Sequence, residues 1–330
     1  MKRQEILDIL KAVKPALASK ENLEHTTSFI FQKGSVCTYN DEVMISHPID
    51  IKIKGAVPAK ELYSLLSNLE SDKIKIKQDD KEITIEGDNF KAGINIIKDA
   101  KLPISIKLGD KWNKLSKQFS EGVGFCLFSA SSDYSNLKFT HVHAGKGFTE
   151  STNNYRATRF LAKDMKVDML IPVEAGRELI KYEPTHYQTT KGWIHCKNKD
   201  GVVFSFRTHV SKYPDLSPIL KMTKPMEIKF PSDLLKSLVN AEALCKEEIS
   251  GDKYVTVIFK GKEMVVRSRG DVGWYKETFS LKKTYGKIEF DINSKSFREI
   301  LTHLKKASIS KNKLRFDGDN FIHIVVLKGK

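Results

Sequence analysis

Gln4-Glu5-Ile6-Leu7-Asp8-Ile9-Leu10-Lys11, Asp110-Lys111-Trp112-Asn113-Lys114-Leu115 and Ser232-Asp233-Leu234-Leu235-Lys236-Ser237-Leu238 read as one phrase repeated, an amphipathic helix opening each third of the chain. A second helix opens after a strand in each third, at Val57-Pro58-Ala59-Lys60-Glu61-Leu62, Ile171-Pro172-Val173-Glu174 and Ile292-Asn293-Ser294-Lys295. The markers recur every ~105 to ~125 residues, too long for a solenoid repeat and about the size of a whole domain. Three copies of one domain in a chain suggest a curved or closed assembly rather than a single pocket.

Working outward, the segments between these helices alternate with period two. Lys73-Ile74-Lys75-Ile76-Lys77 and Glu82-Ile83-Thr84-Ile85-Glu86 flank a turn in the first third. Val202 to Arg207 serves in the second, and Tyr254 to Phe259 followed by Met264 to Arg267 in the third. This is the pattern of antiparallel strands with one buried face. With two helices per repeat, the helices can cover one side of the sheets, an α+β layering. Proline-bearing connectors at Lys98-Asp99-Ala100-Lys101-Leu102-Pro103 and Lys212-Tyr213-Pro214-Asp215-Leu216-Ser217-Pro218 place the domains at 1–104, 105–222 and 223–330.

Each helix sets an apolar stripe against a cationic face. Ile6, Leu7, Leu10 and Val13 oppose Lys11; Trp112, Leu115 and Phe119 oppose Lys114 and Lys117; Leu234, Leu235 and Leu238 oppose Lys236. Among the second helices, Lys60 opposes Leu62, Leu65, Leu66 and Leu69, Arg177 and Lys181 lie away from Leu179, and Lys295 and Lys306 oppose Phe297, Ile300 and Leu304. A solvated face explains any one of these. Six helices each with a cation at a comparable place point to a shared polyanionic partner.

The net charge of +15 agrees with that, and it is uneven: the thirds carry 0, +7 and +8. Nucleic acid is favoured over anionic membrane, because no basic segment carries a membrane-inserting aromatic face. The apolar run 321–327 is too short to cross a bilayer, and the charged N-terminal helix is not a signal peptide. Four scattered cysteines, Cys37, Cys126, Cys196 and Cys245, fit free thiols in a reducing cytoplasm.

No catalytic constellation stands out, and no cofactor is implied. His141 and His143 could form half a metal site, but spacing supplies no third ligand. Gly145-Lys146-Gly147 lacks the rest of a phosphate-binding loop, and Gly122-x-Gly124 lacks the third glycine of a dinucleotide site. Arg269-Gly270-Asp271 reads as a turn between strands. An enzyme is not expected.

The three-copy organisation and several local phrases resemble the beta sliding clamp of bacterial DNA polymerase III, over essentially the whole chain. The residues that carry the resemblance are Cys37-Thr38-Tyr39-Asn40-Asp41-Glu42 and Ser151-Thr152-Asn153-Asn154-Tyr155-Arg156-Ala157-Thr158 as turns after a strand, the Val57-Pro58-Ala59-Lys60 helix opening, and the Ser211-Lys212-Tyr213-Pro214-Asp215-Leu216 connector. Asn154-Tyr155-Arg156-Ala157 departs from the family's Gly-His-Arg-Leu, and the ending Lys328-Gly329-Lys330 departs from its Met-Pro-Met-Arg-Leu. The chain is also short and basic for a bacterial clamp, closer to a divergent viral or phage version.

The resemblance implies three tandem clamp domains, two chains closing head to tail into a ring, and a cytoplasmic non-enzymatic processivity factor. Its partners would be double-stranded DNA, a DNA polymerase, a clamp loader and a second copy of the chain. Lys11, Lys60, Lys114, Lys117, Arg177, Lys181, Lys236, Lys295 and Lys306 would face the duplex. A groove for partner peptides would fall on Val142, Thr152, Ala157, Ile322 and Ile324. A monomeric basic nucleic-acid-binding scaffold remains the alternative, and a clamp of different stoichiometry a third reading.

Overall fold

The computed structural model describes residues 2–32, 34–100, 108–208, 212–248 and 251–328. Its elements begin with helix α1 (Arg3–Val13), strands β1 (Ser28–Gln32), β2 (Ser35–Tyr39), β3 (Val43–Pro48) and β4 (Gly55–Pro58), helix α2 (Ala59–Asn68), and strands β5 (Lys75–Gln78), β6 (Glu82–Glu86) and β7 (Lys91–Asn95). The order then restarts. β8 (Asn113–Lys114) and α3 (Phe119–Leu127) lead to β9 (His141–Gly145), β10 (Phe148–Thr152), β11 (Arg156–Leu161) and β12 (Met169–Pro172). α4 (Val173–Leu179), β13 (His186–Thr190), β14 (Trp193–Lys197) and β15 (Val203–Arg207) follow. After the short helix α5 (Ser217–Leu220), a third pass runs β16 (Met226–Lys229), α6 (Leu234–Ala243), β17 (Tyr254–Gly270), β18 (Gly273–Asn293), α7 (Ser294–Leu301), β19 (Lys306–Ser310), β20 (Lys313–Asp317) and β21 (Phe321–Val326).

All pairings among the described strands are antiparallel. By contacts the chain divides into two compact units. The first, Met1–Glu121 with Glu174–Ser211, holds an eight-stranded sheet of order β4-β1-β2-β3-β15-β14-β13-β8 and a three-stranded sheet β5-β6-β7. The second, Gly122–Val173 with Lys212–Lys330, holds an eight-stranded sheet of order β12-β9-β10-β11-β21-β20-β19-β16 and the ribbon β17-β18. Each large sheet therefore joins strands from two different thirds of the sequence.

One contact recurs three times and shows why the modules look alike. The Thr38 hydroxyl donates to the Val13 carbonyl at the end of α1, the Ser151 hydroxyl to the Cys126 carbonyl in α3, and the Ser268 hydroxyl to the Ala241 carbonyl in α6 (2.7 Å). The sequence separations are 25, 25 and 27 residues. Carbonyls in the last turn of a helix lack the usual i+4 amide partner, and each time a buried strand hydroxyl bonds one of them, beside a tighter turn amide at Cys126 (from Ser129 N, 3.1 Å) and Ala241 (from Leu244 N, 3.2 Å). All three hydroxyl residues are buried.

The two turn phrases match as closely. Asn40 Oδ1 accepts from the amides of Glu42 (3.2 Å) and Val43 (2.8 Å), and Asn153 Oδ1 from those of Tyr155 (3.1 Å) and Arg156 (3.0 Å). Asp41 and Asn154 both hold φ 77°, the left-handed region that short polar side chains tolerate. In each case the adjoining strand then donates back to the turn: Arg207 N to Glu42 O (2.9 Å), and Val326 N to Tyr155 O (2.8 Å).

Helices α1, α2, α4, α6 and α7 form where the sequence places them. The first helix of the second third does not. Trp112, Leu115 and Phe119 have helical spacing, but Asn113 and Lys114 pair with Tyr187 and His186 as strand β8. The helix begins only at Phe119. Its sequence, Phe119-Ser-Glu-Gly-Val-Gly-Phe-Cys-Leu127, is buried on most sides and has no polar stripe to read. Gly122 lets it lie against the sheet, since a Cβ there would sit 2.7 Å from Thr149 Oγ1. The Tyr254–Phe259 and Met264–Arg267 segments are one strand, β17, with register shifts at Phe259/Gly261 and Gly261/Glu263. Arg269-Gly270-Asp271 enters the turn that joins it to β18, as expected. Of the first connector, Lys101–Pro103 lie outside the described residues, as do Ser211, Gly329 and Lys330.

Candidate nucleic-acid interface and partner groove

In the first unit α1 packs beside α2, burying Ile6, Leu7, Leu10 and Val13 against Ala59, Leu62 and Leu66 with the strands behind them. Arg3 Nη1 donates to the Leu66 carbonyl at 2.9 Å and ties the two helices at one end. This packing turns Lys11 and Lys60 outward, exposed and without an ion pair among the described residues. In the second unit α6 packs beside α7. The core there gathers Leu234, Leu238 and Ala241 with Phe297, Ile300 and Leu301, around Phe230, Phe259 and Phe316. Glu242 on α6 meets Arg298 on α7 (2.8 Å) and accepts from the Ser294 hydroxyl (2.8 Å). Lys236 and Lys295 are left exposed on these helices, with no ion pair among the described residues.

The other cations differ. Arg177 lies 3.8 Å from Glu174, and Lys181, in the 3-10 turn after α4, lies 2.7 Å from Glu178. Both pairs are on the surface, where screening leaves such a bond worth little. Lys114 is on strand β8, Lys117 is in the turn before α3, and Lys306 opens strand β19, 2.6 Å from Glu227. These three are not on helices, which corrects the helical reading of them. α3 carries no cation; its charged residue is Glu121.

The groove residues lie on the large sheet of the second unit. Thr152 pairs with Ala157 across β10 and β11, and Ala157 with Ile324 across β11 and β21, so the three form one row on one face. Ile322 shares that face, opposite Arg159. Val142 does not. Its neighbour His143 pairs with Glu150, whose carboxylate meets Arg159, on the face of Thr152 and Ala157. Strand alternation therefore sends Val142 to the opposite face, beside the helices. The weak alignment of β9 placed it in the groove, and the pleat removes it.

The segment from Lys212 to α5 crosses this face. Thr152 N donates to Tyr213 Oη (3.1 Å), Arg315 Nη1 to the Leu220 carbonyl (2.9 Å) and Lys313 Nζ to the Ile219 carbonyl (3.1 Å). Under it Thr152, Ala157 and Ile324 are 3%, 0% and 0% exposed. Only the margin stays open, at half-buried Ile322 and exposed Leu161 and Ile219.

Beside the row sits a charged cluster that sequence reasoning missed. Glu150, 3% exposed at its side chain, accepts from Arg159 (2.6 and 2.8 Å) and lies 3.2 Å from His143 Nδ1. His143 Nε2 lies 3.2 Å from Asp168, and its ring packs 5.3 Å from that of Tyr213. Burial opposes charge on His143, but hydrogen bonds to Glu150 and Asp168 outweigh it and raise its pKa. On the opposite face His323 is fully buried, 2.8 Å from Thr158 Oγ1; burial first, then the charges of Arg156 and His303, hold it well below the usual histidine pKa. Among the described residues no three His, Cys, Asp or Glu side chains form a metal site.

With this geometry in place, the chain matches solved structures over its whole length. A DNA polymerase sliding clamp from Bacillus subtilis shares 14% identity at TM-score 0.86, covering 100% of this chain and 98% of that one. The beta chain of DNA polymerase III from Streptococcus pneumoniae shares 17% at TM-score 0.85, covering 100% and 98%. The DNA polymerase III subunit beta from Pseudomonas aeruginosa shares 12% at TM-score 0.85, covering 100% and 99%. The chain has the sliding-clamp fold. No family sequence model matches it, and no curated protein sequence does.

The sliding-clamp fold bears out the α+β reading and the family likeness of the overall architecture. Its strand-borne lysines and the buried Glu150–His143 pair had no signal in the sequence, because they depend on sheet register. The Asn-centred turns had one, and it was legible.

Proposed function

We propose that the chain is a DNA sliding clamp, a polymerase processivity factor made of three tandem clamp domains at 1–104, 105–222 and 223–330. The sheet inventory carries this reading. Two eight-stranded sheets each join strands from different thirds, while β5-β6-β7 and β17-β18, in the first and last thirds, pair with no further named strand among the described residues. Pairing those edges between two chains, head to tail, would close a ring and remove exposed strand edges. The solved clamps of the same fold support it.

In that ring Lys11, Lys60, Lys236 and Lys295 would meet phosphates. Lysine contacts to the backbone attract a duplex without fixing register, which is what sliding needs. Arg177 and Lys181 would contribute less, being partly neutralised by Glu174 and Glu178. Lys114, Lys117 and Lys306 would act from turn and strand positions. Polymerase and clamp-loader peptides would dock by apolar anchors at the open margin by Ile322.

Light scattering on a size-exclusion column tests the ring. A mass near twice 37.5 kDa is expected. A monomer at every concentration would favour the scaffold alternative.

A further inference from the structure

The ribbon β17-β18 breaks register at one place. Pairing runs from Tyr254↔Asn293 to Phe259↔Ile288, then shifts to Gly261↔Tyr285 and again to Glu263↔Ser280. The residues 281–284 of β18 thus face Lys262 alone, and the ribbon forms a corner. Lys260, Lys262, Lys282 and Lys283 are exposed on it. Lys283 Nζ lies 5.5 Å from the Tyr285 ring, and Tyr285 Oη accepts from the Lys229 amide at 3.2 Å, so edge strand β16 is tied to the same corner. Lys229 and Lys306 join the cluster there. Glu227 on β16 reports their closeness: its carboxyl is held below the usual range by the hydrogen bond from Lys306, and further by the charges of Lys306, Lys283 and Lys229. Glu263 lies in the corner, and Glu289, on one arm of the bend, is held by Arg267 of the other at 2.9 Å.

We propose that this lysine corner is a second docking surface, taking the phosphate backbone of nucleic acid independently of the helix-borne cations. The side chains choose the partner. Lysine is a hydrated point charge that suits repeated phosphates, whereas the guanidinium bridging the bend, that of Arg267, is already engaged by Glu289. A protein partner needs an apolar or aromatic anchor. The aromatic at the corner, Tyr285, is only 6% exposed, and single strands would want one to stack on. Sequence-independent duplex backbone is the chemistry left. The lysines cannot satisfy one another, and Lys229, Lys260, Lys262 and Lys282 have no ion pair among the described residues. This inference goes beyond the clamp reading and does not require ring closure.

The test is fluorescence anisotropy of a short linear duplex with the full chain and with Lys229→Ala/Lys282→Ala/Lys283→Ala, across salt. These side chains are exposed, so the variant should fold, as circular dichroism would check. Losing up to three phosphate contacts should flatten the log–log salt slope by up to about 2.7 and raise Kd about tenfold or more at low salt. An unchanged slope overturns the proposal. So does equal binding of poly-glutamate that the same substitutions abolish, which would assign the corner to an acidic protein. Lys11→Ala/Lys60→Ala/Lys236→Ala/Lys295→Ala, measured alongside, reads the helix surface separately. A loss confined to that variant would spare the clamp reading while removing the corner.

Discussion

Ile322 and Ile324 are two residues apart on one strand and one face, yet aspartate should affect them very differently. Ile324 is fully buried between Ala157 and Arg315 in register. Its burial is worth about 1.5–3 kcal/mol, and a carboxylate placed there adds a desolvation cost of several kcal/mol unless paired. Arg315 cannot readily pair with it, since its guanidinium is already held by Asp317 (2.5–3.0 Å) and the Leu220 carbonyl. A loss of about 4 kcal/mol or more is expected for Ile324→Asp. Ile322 is half-buried and opposite Arg159, so Ile322→Asp should cost only about 1 kcal/mol. The difference, about 3 kcal/mol, corresponds to ~1.5 M in urea midpoint at a slope of about 2 kcal/mol/M. Urea melts followed by circular dichroism, together with hydrogen exchange of β21 amides, measure it. Equal midpoints for the two variants would show that the connector does not roof the Thr152–Ala157–Ile324 row. Folded Ile322→Asp is further expected to lose polymerase stimulation; retained stimulation would take Ile322 out of the groove.

Other outcomes follow from the same geometry. Thr38→Val, Ser151→Ala and Ser268→Ala should each cost about 0.5–1.5 kcal/mol, because each removes a buried hydroxyl bond to a helix-end carbonyl; three neutral substitutions in melts would remove the shared device. His143 has a pKa raised in the fold, so its contribution is full below the unfolded value of about 6.5 and fades as pH rises through the folded value. The Tm gap between the parent and His143→Gln should therefore be widest in mild acid and shrink toward alkaline pH, and a gap that widens instead would contradict the pairing with Glu150 and Asp168. His323 works in the other direction: its depressed pKa means that the unfolded chain takes up a proton the fold refuses, so stability falls as pH drops below about 6.5. His323→Gln should blunt that acid loss in pH-dependent melts, and an equally steep loss would place the acid sensitivity elsewhere.

How far the sequence could be read varies with the kind of signal. Helices α1, α2, α6 and α7 were legible because each sets a full apolar stripe against polar residues at helical spacing. α3 was not, because a helix buried on most sides has no polar face, and the apolar spacing just before it imitated one. The Asn40 and Asn153 turns were reached through likeness to the family's turn phrase, and the structure supplies the reason: each is an Asx turn followed by a left-handed residue. Pairing of strands from different thirds was invisible: period-two alternation states which face is buried, not which strand lies alongside. Val142 failed because the loose alignment of β9 left its pleat parity open, and Lys306 failed because the pattern of α7 runs past Leu301 in sequence while the helix ends there. Motif likeness singled out Thr152, Ala157 and Ile324, which the register brings into one row, but the cover of Tyr213 and α5 over that row could come only from the fold.

The closed ring is the central claim of the proposed function, and topology tests it apart from charge. The chain would be concentrated in the presence of a nicked circular plasmid, then gel-filtered at high salt before and after the circle is cut at one site. High salt removes electrostatic contacts but not a topological link. The account predicts co-elution with the circle and release on cutting. Retention that is indifferent to the cut, or that salt abolishes on the intact circle, would contradict it.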